Sequence, residues 1–173
     1  MNSIAVLLLL RLVHVLSGVF WVGGFMLFAR FVFPATRAVG PAAGPVVDQL
    51  VRVRKLPRAL LGAASLTILS GLGLFWRDSA GFSSAWMASP TGRVFGFGAL
   101  LSIAAFVVGV SVNNPAAQRL GAITAAIQAQ GGPPNPEQAA EMQRLQTRLG
   151  VGMQIITVLV LLATAAMALA RYA

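Results

Sequence analysis

The side chains able to do chemistry in this chain are few, and one of them stands out by its surroundings. His14, the only histidine, lies in LVHVLSGVFWVGG, a run made otherwise of apolar and small residues. An imidazole there has two uses. It can hydrogen-bond a serine or a backbone carbonyl across a bundle and so tie two helices together. Alternatively, it can offer a nitrogen lone pair to haem iron or copper, because apolar surroundings disfavour charge and a neutral imidazole is a metal ligand. Met26 and Met153 are the soft side chains that would partner it on a metal, although methionines at such positions commonly serve packing. A symmetric homodimer would supply a second His14.

Other residue types narrow the chemistry. Cysteine is absent, which removes disulfides, thiolate metal sites and cysteine nucleophiles. The acids are Asp48, Asp78, Glu137 and Glu141, all in segments read as connections, so no carboxylate pair stands inside the apolar segments for acid–base catalysis or a proton relay. No strand leading into a glycine-rich phosphate loop is evident. Without a cofactor, catalysis has almost nothing to work with, and an enzyme is the less favoured reading.

At 100° per residue, Arg11, His14, Gly18, Trp21, Phe25 and Phe28 fall within an arc of about 100°. Gly18 leaves a gap beside the imidazole, into which a flat group could slide or another helix could press. Arg11 and Arg30 are 19 residues apart, about 28 Å along a helix, which matches the hydrocarbon thickness of a bilayer. Arg11, near the outer surface, could then pair with a haem propionate or an anionic headgroup.

These residues need a membrane to hold them. Of the 173 residues, 57% are hydrophobic and 10% charged, against about 25% charged in soluble domains. The apolar residues gather into four segments long enough to span, within 4–33, 59–76, 94–112 and 151–170. The first lacks a preceding basic residue and is interrupted by Arg11, so it reads as a true span and not as a cleaved signal peptide. The expected fold is all-α: a four-transmembrane-helix bundle forming one domain over 1–173.

The formal charge of +9 does not call for nucleic acid once it is sorted by side of the membrane. The first and third connections, 34–58 and 113–150 with their flanks, hold nine basic residues, and the opposite side holds four: Arg11, Arg77, Arg93 and Arg171. The richer side is expected in the cytoplasm, with both termini outward. Attraction to lipid headgroups accounts for VRVRKLPR.

The connections carry helix signals of their own. Helix breakers follow Phe33, and 46–56 reads as a short interfacial helix. The third span is expected to continue as a cytoplasmic helix after a break or kink at Pro115. After GGPPNP, Asn135 fits an N-cap, Pro136 the first helical position and Gln138 the third residue of a capping box, so a helix starts there and runs into the last span. Gly62, Ser65 and Gly73 in the second span, and Gly98, Ser102, Ala105 and Gly109 in the third, are expected packing positions. Phe75, Trp76, Phe82, Trp86 and Tyr172 suit an aromatic belt at the outer boundary.

The segment RLVHVLSGVFWVGGFMLFARFVFPA resembles the first span of the CopD-like family of bacterial four-helix membrane proteins and of the related DUF2269 group. In the spacing of His14, Trp21 and Arg30 it is similar to the opening helix of the HemJ-type protoporphyrinogen oxidases, and it is similar also to the membrane part of cytochrome-linked urate oxidases. The resemblance implies a bacterial inner-membrane protein that handles haem b or copper, with His14 as ligand and Trp21 and Arg30 as supporting positions. Where the HemJ-type enzymes carry a lysine at the start of the third span, this chain has Arg93, whose always-charged guanidinium is no ligand. Three functions follow: a haem- or copper-binding membrane protein, a cofactor-free accessory subunit of a larger membrane complex, and, behind both, a haem-dependent porphyrin oxidase.

Overall fold

The computed structural model describes residues 4–173, and every regular element among them is a helix. In chain order these are α1 (Ile4–Val39), α2 (Gly44–Asp48), α3 (Leu56–Asp78), α4 (Ser84–Ala88), α5 (Pro90–Gln130) and α6 (Pro136–Tyr172). Four of them, α1, α3, α5 and α6, are long and apolar enough to cross a membrane. Large side chains such as Leu9, Val19, Leu69 and Leu100 project outward, which suits lipid and not water.

Prolines end fewer helices than expected. Helix α1 continues past Phe33, through Pro34, to Gly40, whose φ of 69° turns the chain. Helix α5 likewise runs through Pro115 without a break. The reason lies just upstream of each proline, where the helix widens to a π-type turn: Phe33 N–H donates to the Phe28 carbonyl, and Asn114 N–H to that of Gly109. A proline lacks the N–H that would reach four residues back and its ring crowds that carbonyl; the wider turn takes up the defect locally. The short helix expected over 46–56 differs too. It starts at Gly44, passes through a third π-type turn at Gln49–Val53, and stops before Lys55, which adopts a left-handed φ of 52°.

The spans pack as neighbours in chain order, with α1 lying along α3 and α5 along α6, and narrower contacts joining α3 to α5 and α1 to α6. All four meet in one core of Trp21, Ala63, Ala64, Ala105, Ile156 and Val160. A second cluster, Ala116, Leu145, Leu149 and Met153, is covered by Phe25, Phe28 and Phe33 and ties the helical extensions to the bundle. The extensions are joined at Gly131, and α6 opens with the expected capping box: Gln138 N–H donates to Asn135 Oδ1 at 2.8 Å and Asn135 N–H to Gln138 Oε1 at 2.9 Å. Paired amides of Gln130 and Gln138 close the hairpin.

The packing face of α5 is the expected one. A methyl on Gly98 would come within 3.2 Å of Ala166 Cβ, and Ala105 is buried. On α3 the face agrees in part. Gly73 packs against Leu10 as expected, but nothing lies within 4 Å of a Cβ built on Gly62 and Ser65 bonds only its own helix, whereas Ala63, Ala64, Thr67 and Ser70 are buried against the bundle. Phe75, Trp86 and Phe95 interlock at the end of the bundle that carries the termini, with Phe75 and Trp86 edge to face at 5.2 Å.

Candidate functional site

His14 faces α3. Its Nδ1 lies 2.8 Å from the backbone carbonyl of Thr67, and since a carbonyl only accepts, Nδ1 carries the proton. The tautomer with its proton on Nδ1 leaves the lone pair on Nε2, and no partner engages Nε2 among the described residues. The contact is possible because residue 71 is glycine: a methyl there would sit 2.8 Å from His14 Cε1 and 3.0 Å from Nδ1. Ser70 Oγ stands 3.5 Å from Nδ1.

One turn further along α1, Ser17 and Thr67 hydroxyls meet at 2.9 Å, with Ser17 donating to its own helix at Val13 and Thr67 within 2.8 Å of the Ala63 carbonyl. Gly18 faces the Thr67 methyl, which a Cβ there would meet at an ordinary contact of 3.5 Å. The gap beside the imidazole is therefore filled by α3. Thr67 is gripped from both sides, by the imidazole on its carbonyl and by Ser17 on its hydroxyl, which makes a polar tether inside an otherwise apolar contact.

Of the other residues singled out in the sequence, Arg11 and Gly18 stand within about a turn of His14 on α1, and Trp21, Met26, Arg30 and Met153 lie away from it. Trp21 is 6% exposed and belongs to the four-helix core, two turns away. Arg11 and Arg30 are exposed, and Arg30 sits in the π-type turn 16 residues, about 24 Å along the helix, from His14. Met26 is 12 residues, about 18 Å, from it on the same helix. Met153 packs among Leu145 and Leu149 at the far cluster. Within one chain, then, His14, Met26 and Met153 cannot share a metal, and no group of three or more His, Cys, Asp or Glu that could hold one occurs among the described residues.

The residues that matter most around the ring, Thr67, Ser70 and Gly71, were not legible as a site. Their only signal is spacing: counted from Ala63 they stand four, seven and eight residues on, so all lie on one face of α3. Arg77 was also missed as more than an interfacial charge. It lines a cavity of about 310 Å³ between α1 and α3, with Val6, Leu10, Gly73 and Trp76, and its Nη1 is buried without a hydrogen-bond partner among the described residues. A second cavity, about 430 Å³, lies between the helical extensions, among Arg119, Glu137, Glu141 and Arg144.

Fold and composition together define a multi-pass membrane protein built as a four-helix bundle. Comparison with known proteins finds no matching family model, no matching curated protein and no matching solved structure.

Proposed function

We propose that this is a small membrane protein of CopD-like type that binds haem b through His14. The observation that carries the reading is the Nδ1–H bond to the Thr67 carbonyl, which holds the ring in the tautomer with Nε2 free. Metal-binding histidines are oriented by such a bond to a carbonyl or carboxylate. Haem is favoured over copper by ligand count. A porphyrin brings four nitrogens and needs only one axial side chain, whereas a copper ion on a single imidazole would lack the further protein ligands it requires. His14 would hold the iron and Gly71 would keep the ring in place; bound haem would supply redox chemistry.

The bundle interior at the level of His14 is occupied by Thr67, Ser70 and Gly71, and the histidine itself is half-buried. Access to Nε2 is therefore from the rim of the α1–α3 contact, which favours a cofactor shared with a second copy or a larger membrane complex. The basic excess at the 34–58 and 113–150 end supports placing that end in the cytoplasm of a bacterial inner membrane, with both termini outside.

The Ser17–Thr67–His14 tether favours a second reading, a cofactor-free accessory subunit in which the imidazole only fixes α1 to α3. Visible absorption of the protein purified in mild detergent, oxidised and reduced, with iron and copper analysis, separates the two. A Soret band lost in His14→Ala and kept in Met153→Ala supports haem ligation. A colourless, metal-free protein after haem-supplemented expression refutes it and leaves the accessory role.

A further inference from the structure

The last turns of α3 carry a cationic group in an unusual position. Arg77 lines the cavity of about 310 Å³ between α1 and α3, and its Nη1 is buried with no hydrogen-bond partner among the described residues. The ion pairs among those residues, Asp48–Arg52 and Glu141–Arg144, lie at the opposite end of the bundle, so no carboxylate neutralises it. A guanidinium nitrogen removed from water is costly unless an anion meets it, and its planar fork matches phosphate oxygens.

The walls say which kind of anion. Val6 and Leu10 make one side apolar, Leu10 lies against Gly73, and Trp76 stands half-exposed beside the Arg77 guanidinium's helix turn, as indoles do at the headgroup level of a bilayer. The cavity thus joins one partly buried guanidinium, with its Nη1 out of contact with water, to an aliphatic wall. Its floor is rigid: Ala80, Gly81 and Phe82 all take positive φ, and the turn is pinned by Gly81 N–H on the Trp76 carbonyl and Phe82 N–H on Ser79 Oγ, both 2.9 Å.

We propose that this cavity binds the phosphate of an anionic phospholipid, with Arg77 as counter-charge and Val6 and Leu10 against the lipid's glycerol and first methylenes. Its volume is at the small end of ligand sites, enough for a headgroup while the acyl chains remain in the bilayer. The site is separate from His14, and its occupancy does not depend on haem.

Native mass spectrometry of the full chain released from micelles doped with phosphatidylglycerol tests this. One retained phosphatidylglycerol per chain is expected, with phosphatidylcholine retained less. Arg77→Gln should weaken retention at least about tenfold, the loss of one charge-assisted hydrogen bond, while Arg93→Gln, exposed at the same end, should change it less than about twofold. Gly73→Leu, which fills the cavity and leaves the guanidinium, should also reduce retention, and His14→Ala should not. Equal effects of Arg77→Gln and Arg93→Gln, or unaltered binding in Gly73→Leu, would overturn the site. Displacement of the lipid by millimolar inorganic phosphate alone would overturn the lipid assignment in favour of a free anion.

Discussion

Replacing Gly71 by alanine probes the imidazole's seat directly. The added methyl would lie 2.8 Å from His14 Cε1, and ordinary contact begins at 3.4 Å, so the ring must retreat by about 0.6 Å. If it retreats along the bond to Thr67, Nδ1···O lengthens from 2.8 Å to about 3.4 Å, where little hydrogen bonding remains. Interhelical hydrogen bonds in membranes are worth about 0.6 kcal/mol on average, and overpacking a well-filled contact costs about 1–3 kcal/mol. Gly71→Ala should therefore destabilise the protein by about 2 kcal/mol. In a His14→Ala background the methyl has space, and the same change should be neutral or stabilising by about 0.5–1 kcal/mol through helix propensity. A double-mutant cycle by reversible unfolding in detergent micelles should then give a coupling of about 2 kcal/mol or more. Additivity within about 0.5 kcal/mol would show that the ring does not rest on Gly71.

Further outcomes follow from the same geometry. Gly98→Leu should separate α5 from α6 and cost at least about 2 kcal/mol, because even a methyl there meets Ala166, Met167 and the Ala163 carbonyl at 3.2–3.3 Å; Gly62→Ala, with nothing within 4 Å, should be neutral in the same micelle unfolding assay. Asn135→Ala should lower stability by about 1 kcal/mol through loss of the capping box, read as faster amide exchange confined to the start of α6. Gly152→Ala should be destabilising by about 1–3 kcal/mol, since its methyl would coincide with the Asn113 side chain, which must turn away. Asn113→Ala in the same protein should rescue it, because the buried Asn113 Oδ1 has no partner to lose. Thermal unfolding of the two single variants and the double variant checks this.

The four spans and the helix start at Asn135 could be read from the chain, because each depends on neighbours close in sequence. Apolar run length decides whether a segment crosses a bilayer, and a capping box closes within four residues. Proline was over-read for an equally local reason: it removes one hydrogen bond, and whether the helix then breaks or widens into a π-type turn depends on what packs around it.

Helix rotation was a different matter. In a soluble bundle, polarity marks the outward face, but here lipid-facing and core-facing residues are both apolar, so periodicity cannot tell them apart. One residue's offset turns a face by 100°, which is why α3 presents Ala63, Thr67 and Ser70 inward in place of Gly62 and Ser65. Composition and order of residues established a four-span helical membrane protein with one histidine in its first span. Only tertiary packing decided that this ring binds the Thr67 carbonyl, that Gly71 makes room for it, that Met153 joins a separate cluster, and that Arg77 Nη1 is buried without a hydrogen-bond partner among the described residues. Those facts join residues more than fifty positions apart on helices whose azimuth no local pattern encodes.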